Sequence, residues 1–300
     1  MMAAFSGYGF PQAHAASYAQ VAWRSAWCKN YFPAEFMAAV LANWGGYYSQ
    51  RVYLGEARRL GLTVYAPNIN HSGQNFVADG KNQTLYMGLD QVKGLTQKTI
   101  TNILRLRPFN SLEDFLSRVD PRPQEAENLA RVDAYADLST IPAALLRIQG
   151  GSWSAGQMSL FGWAEECEGD WTLRQKVAAQ EELLGISVVA HPLDLYKEQI
   201  LAANAMFIME AYERIGQRVI VAGLRQASHR SRTAKGETMM FLTLEDLSGT
   251  VDVVLFPDVL RKAGNLFANA FAPILVEGTI EKEADSAEPI LNASRVVSLA

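Results

Sequence analysis

Cysteine is nearly absent: Cys28 and Cys167 are the only two in 300 residues, and they do not form a C-x-x-C pair. That excludes a disulfide framework and a cysteine-built zinc site, and a reducing cytoplasm is the expected setting. Histidine is equally sparse, with His14, His71, His191 and His229 scattered and none at ligand spacing from another His or Cys. His191, followed by Pro192 and Leu193, reads instead as the cap of a turn into a helix. No strand carries the paired aspartates that hold two magnesium ions for phosphoryl transfer, so no catalytic residue, metal site or cofactor is read in this chain. No apolar run is long enough to cross a bilayer, and no basic segment with an apolar run and cleavage site leads the chain. A soluble, unprocessed protein without a membrane partner is expected. Positive charge is not in excess either: 27 Lys and Arg face 31 Asp and Glu, a net charge of -4. Nucleic-acid binding would therefore have to come from local basic patches.

What is present is apolar. Hydrophobic residues make up 49% of the chain, enough for a sizeable core and about two domains. The dense apolar pattern starts at once, with no polar lead-in, as expected of a fragment. Residues 14–28 repeat apolar side chains (Tyr18, Val21, Ala22, Ala26) at helical spacing. Pro33 suits the first turn of a second helix with Phe36, Met37, Val40 and Leu41 on its buried face, and a third runs over 48–60 to Gly61. Short extended pieces follow at 62–65 and 84–89, separated by a polar stretch at 68–82. Helical spacing returns at 96–106 and 111–119, then after Pro121 and Pro123, and again at 173–184. Residues 150–156 read as a Gly- and Ser-rich linker.

From Arg218 the period changes to two. Strands are expected at 218–224, 238–245 and 250–256, a helix at 257–266, and strands at 274–280 and 290–297. Three strands, a helix and two strands is the order of the OB-fold, a small five-stranded barrel. The fold class expected is therefore α+β multidomain: a mostly α-helical N-terminal region followed by a C-terminal OB-fold β-barrel.

Three segments carry binding chemistry. The stretch from Gly88 to Leu95, leading into a helix, has the form of a helix-hairpin-helix DNA contact. Gly94 permits close approach of a sugar-phosphate backbone, the amides around Leu95 and Thr96 open a helix toward a phosphate, and Lys93 adds charge. The same residues also suit an ordinary glycine turn between packed helices. Residues 129–138 offer a second hairpin, but Asp133 stands where glycine is expected, and its carboxylate would repel phosphate. Gln157, Met158, Ser159, Leu160 and Phe161 have the form of a bacterial sliding-clamp-binding peptide. Leu160 and Phe161 would fill an apolar pocket, with the Gln157 amide at its rim, unless they pack on a neighbouring domain. Between the first two barrel strands, a loop is expected to carry Arg225, His229, Arg230, Arg232 and Lys235 toward a phosphate backbone. Phe241 or Phe256 would offer a stacking face, or pack in the core.

The stretch GYGFPQAHAASYA at 7–19, continuing as YFPAEFM at 31–37, is similar to a signature of the fingers of C-family bacterial DNA polymerases. The hairpin at 92–95, the clamp peptide at 157–161, Leu184-Gly185, His191-Pro192-Leu193 and the OB-fold follow in that family's order, so the resemblance covers the C-terminal half of such a polymerase. It implies the end of the fingers at 1–80, a helix-hairpin-helix region at 81–148, a linker with the clamp peptide at 149–165, a helical connector at 166–214 and the OB-fold at 215–300. It also implies Tyr8, His14 and Tyr18 near the incoming nucleotide, although burial of the two tyrosines is the simpler reading. Primer-template duplex, single-stranded template, the sliding clamp and other replicase subunits are the partners it implies. Mg2+ would sit on a palm, ahead of this region, that these residues lack. Pro11 and Ala15 resemble the error-prone branch, the clamp peptide the replicative one. A stand-alone accessory protein binding single strands and the clamp, or one half of a split polymerase, is the alternative.

Overall fold

The computed structural model describes residues 12–43, 46, 50–150, 169–233, 235–267, 272–282 and 288–299. The chain divides into two compact units, residues 1–189 and 190–300.

In the first unit, α1 (Gln12–Tyr31) and α2 (Pro33–Ala42) precede α3 (Gln50–Arg59). Pro33 opens α2, and Ala34, Met37, Ala38 and Leu41 form its buried stripe against Leu54 and Ala57 of α3. Helix α1 differs from the core helix expected. Its apolar residues lie on two opposite sides, Tyr18 and Val21 on one and Trp23, Trp27 and Tyr31 on the other, so packing on α2 cannot cover both. Tyr18 is 65% and Trp23 67% exposed.

A small sheet follows, made of β1 (Thr63–Tyr65), β2 (Val77–Asp79) and β3 (Thr84–Tyr86) in the order β1-β3-β2. Strands β1 and β3 are parallel, β2 and β3 antiparallel. Strand β2 falls inside the stretch expected to be a polar connection; three residues are too short to reveal a period. Val64, Leu85 and Ala78 pack on the core, which puts Tyr65, Tyr86 and Val77 on the opposite face.

Helices α4 (Gln97–Leu106) and α5 (Leu112–Val119) are capped by the side chains of Thr96 and Ser111, each accepting from the amide three residues on. After α6 (Pro123–Arg131) and α7 (Ile141–Gln149), α8 (Leu173–Leu184) starts on a Thr172–Gln175 capping box and stops at Gly185, whose φ of 75° is left-handed. Phe115, Leu116, Leu129 and Tyr135 fill the centre, and the Tyr135 hydroxyl donates to the Ala126 carbonyl at 3.2 Å. Side chains of this size contribute about 1.5–3 kcal/mol each when fully buried.

The second unit begins with a 3-10 turn, Pro192–Tyr196, capped as expected by His191: its Nδ1 accepts from the Leu193 amide at 3.3 Å, and its own amide donates to Asp194 at 2.9 Å. Short helices α9 (Lys197–Ala202) and α10 (Ile208–Ala211) lead into a closed barrel. Its strands β4 (Arg218–Arg232), β5 (Thr238–Glu245), β6 (Thr250–Leu255), β7 (Ile274–Glu281) and β8 (Ile290–Ser298) run in the order β4-β5-β6-β8-β7, with α11 (Pro257–Ala263) after β6. The pairing of β6 with β8 is parallel and the others are antiparallel. This is the five-stranded barrel of an OB-fold. Alternation supplies its interior: Val219 and Val221, Leu242 and Leu244, Val251, Val253 and Leu255, Val276 and Ile280, and Leu291.

One boundary departs from expectation. Strand β4 does not end at Leu224 but continues through a bulge between Arg225 and Ala227 and pairs with β5 as far as Arg232 opposite Thr238. Arg225, His229, Arg230 and Arg232 thus lie on a strand rather than in a loop, and Lys235 alone of the five sits in the turn. After the bulge β4 buries none of its own side chains, although its partners Met240 and Leu242 on β5 belong to the core, so the period-two signal vanishes while the ladder continues.

Candidate nucleic-acid interface

In the first unit, the hairpin turn hangs on buried Leu89 and Val92. The Leu95 amide closes back on the Val92 carbonyl at 3.2 Å, and Gly94 takes a φ of 81°. An L side chain there would adopt a strained left-handed backbone, and its Cβ would lie 3.1 Å from the Asn128 amide nitrogen. Two residues of α6 hold the turn from beneath. Asn128, itself bonded to Gln124, donates to the Lys93 carbonyl at 2.7 Å. Glu125, 2% exposed, accepts from the Thr96 amide at 2.7 Å, the Thr99 hydroxyl at 2.9 Å and the Arg122 amide at 3.0 Å. Burial pushes the Glu125 carboxyl up, but these donors outweigh it and hold it below the usual value.

This refines the anion cradle expected here. The Thr96 amide is already committed to Glu125 and cannot meet a phosphate. Among the described residues, the Gly94, Gln97 and Lys98 amides have no protein acceptor, and the Lys93 and Lys98 side chains beside them are exposed. Amides at the opening of a helix, flanked by two ammonium groups, suit a backbone phosphate. Glu125 and Asn128 had no signal in the sequence, lying about thirty residues away on a helix of ordinary composition.

In the second hairpin Asp133 stands in the glycine position. The residue adopts the conformation a glycine would, with a φ of 69°, but its carboxylate does not confront solvent. It pairs with Lys176 at 2.9 Å, and Lys176 also reaches Asp170 at 2.5 Å, so one ammonium is shared by two carboxylates and the trio keeps a net negative charge.

On the barrel, register sets His229 directly across from Phe241, and their rings stack at 4.9 Å with an interplanar angle of 10°. Arg230 and Arg232, which alternate to the other face of the strand, are exposed, as is Lys235 at the tip. Arg225 is drawn inward, donating to the Phe267 carbonyl at 3.0 Å. It lines a cavity of about 340 Å³ with Ser228, Arg230, Met240 and Phe267. A neighbouring cavity of about 480 Å³ is bordered by Arg230, Arg261 and Glu237. Phe256 is 48% exposed at the start of α11, and Phe241 is half-buried, so neither is a core residue. The pairing of His229 with an aromatic ring was invisible until the strand register was known.

His14 and Tyr18 are exposed on α1 with their rings in edge contact at 4.5 Å, which corrects the expectation that Tyr18 is buried. Tyr8 and the peptide of Gln157, Met158, Ser159, Leu160 and Phe161 lie outside the described residues. Among the described residues no three His, Cys, Asp or Glu converge to hold a metal ion, and no helix is long and apolar enough to cross a membrane.

Comparison with known proteins adds two findings. The model of a helix-hairpin-helix motif matches residues 61–143. The DNA polymerase III alpha subunit of Pseudomonas aeruginosa is 30% identical over 98% of this chain, and that of Xylella fastidiosa strain Temecula1 is 32% identical over 94%. The chain spans only 29% and 27% of the length of these relatives. Likeness to solved structures is slight, as with the S. pombe Stn1-Ten1 complex: 17% identity over 31% of this chain and 75% of that one, with a TM-score of 0.26.

Proposed function

The chain is homologous over nearly its whole length to part of the bacterial DNA polymerase III alpha subunits, and we propose that it is a DNA-binding portion of such a polymerase. The observation that carries this reading is the turn from Lys93 to Lys98, with outward amides, two flanking lysines and a buttressed left-handed glycine. Such a turn grips sugar-phosphate, not bases, and so holds a primer-template duplex whatever its sequence. The barrel takes the single-stranded template: bases stack on the His229–Phe241 face, and Arg230 and Arg232, from the other face of the strand, and Lys235 at its tip meet the phosphates.

In a complete polymerase these two grips would position DNA while Mg2+-dependent nucleotide addition proceeds on a palm. The described residues bring no acidic cluster together that fits Mg2+, and no bond-making step is assigned to them. The Gln157–Phe161 peptide supports a further role, tethering to a sliding clamp through Leu160 and Phe161.

Fluorescence anisotropy with a labelled duplex and a labelled oligothymidylate tests the DNA reading. Binding of both, each weakening as salt rises, is expected; failure to bind either at low salt would sink it. For the tether, the double substitution Leu160→Ala, Phe161→Ala should abolish retention on immobilised clamp and leave DNA affinity unchanged. Undiminished retention would remove the peptide from the interface.

A further inference from the structure

The outward face of the small sheet carries a row of rings that neither proposed DNA grip uses. Register places Tyr65, Tyr86 and Val77 side by side across β1, β3 and β2. The Tyr65 and Tyr86 rings stack at 5.0 Å and 18°, and His71 continues the row, stacking on Tyr86 at 5.4 Å and 26°. Apolar and aromatic surface here is open to solvent, with Tyr65 44% and Val77 40% exposed.

The ends of the row are acidic. Asp137, brought in from the α6–α7 connection, accepts through one oxygen from the Asn68 side-chain amide at 2.9 Å, and the same oxygen lies 3.1 Å from His71 Nε2. Its other oxygen has no partner among the described residues. Asp79 lies two residues beyond Val77 on the same face of β2. The hydroxyl of Tyr86 senses this field: burial first, then Tyr65, Asp137 and Asp79, push it above its ordinary value.

Stacked π faces favour planar ligands, which admits both nucleobases and guanidinium groups. Charge decides between them. Asp79 is already held by the Lys81 and Asn82 amides, but a nucleic-acid strand would bring phosphates against Asp137, whereas a guanidinium gains from that carboxylate and from the rings. We propose that this face docks an arginine presented by a protein partner, the guanidinium lying on the Tyr65–Tyr86 rings and donating to the uncommitted oxygen of Asp137. None of these residues belongs to either proposed DNA grip, so the proposal stands or falls independently of them.

The test is a titration of the full chain with Nα-acetyl-argininamide, following the ring NMR signals of Tyr65 and Tyr86, with the neutral isostere Nα-acetyl-citrullinamide as control. Saturable shifts of both rings are expected with the arginine probe and none with the citrulline probe. Asp137→Asn should weaken the arginine probe by roughly tenfold or more, the worth of one charge-assisted hydrogen bond. Because Asp137 also ties down Asn68 and His71, Tyr65→Ala on the open edge strand provides a second variant; it should remove the Tyr86 response while the protein stays folded by circular dichroism. Equal shifts with citrullinamide, no saturable shift, or unchanged affinity in Tyr65→Ala would overturn the proposal. So would oligothymidylate perturbing the same two rings, which would make the face a nucleic-acid platform instead.

Discussion

The two proposed DNA grips are built on opposite physical plans. The hairpin turn presents main-chain amides and is braced from beneath by buried hydrogen bonds from Glu125 and Asn128. The barrel presents side chains on β4 beyond its bulge, where Arg230, Arg232 and Lys235 are exposed. A duplex has a regular backbone that a fixed set of amides can match, so rigidity serves it. A single strand has no fixed shape, and mobile cations beside a stacking face accommodate it better. The lesson is that the hairpin should fail through its supports, whereas the barrel should lose affinity one side chain at a time.

The largest effect sought from this contrast is on Glu125. Replacing it with Ala leaves the Thr96 amide, the Thr99 hydroxyl and the Arg122 amide without their acceptor, at a cost of about 3 kcal/mol. Amide hydrogen exchange should speed up across α4 and not in the barrel strands. There is also a pH signature. The folded carboxyl lies below its ordinary 4.5, so its contribution is present above that pH and is lost as pH falls through the depressed value. Acidification below about 4.5 should loosen α4 in the parent protein, and Glu125→Ala should lack that step. A variant with the parent's acid response would detach Glu125 from the turn.

Next in size is Phe241→Ala, expected to weaken oligothymidylate by roughly tenfold or more through loss of base stacking, with duplex affinity unchanged. Gly94→Ala comes after it. Forcing an L residue into the left-handed turn costs about 1–2 kcal/mol, which should weaken duplex binding roughly tenfold and spare the single strand. Smallest is the paired change Arg230→Ala, Arg232→Ala, which should reduce the salt slope for oligothymidylate by about 1.4, or roughly 0.7 for each phosphate no longer neutralised. An unaltered slope would take both arginines out of the interface.

How much of this was legible from the residues varies with the reach of the interactions. The barrel was, because each strand within its core carries its own period of two: β7 alternates buried and partly exposed residues through Val276, Gly278 and Ile280, and the strand order followed. A glycine turn at Gly94 was legible from residue type, whereas its left-handed backbone and the Thr96 cap came only with the structure. Beyond these the sequence fell silent for identifiable reasons. Glu125 and Asn128 act across some thirty residues, and nothing local marks them. Residues 225–232 bury none of their own side chains and so carry no apolar alternation, and a strand looked like a loop. Strand β2 is too short to carry a period. Helix α1 showed helical spacing, but its apolar residues divide between two faces, and spacing alone did not reveal that Tyr18 would stand exposed.

Duplex and oligothymidylate affinities of three proteins, the parent, Gly94→Ala and the Arg230→Ala, Arg232→Ala pair, over a common salt series, bear most directly on the claim of two separate grips. A crossed result is expected: the glycine variant loses duplex alone, and the arginine pair loses single strand alone with a shallower salt slope. Parallel losses, each variant weakening both ligands by the same factor, would mean one shared surface and would contradict the division drawn here.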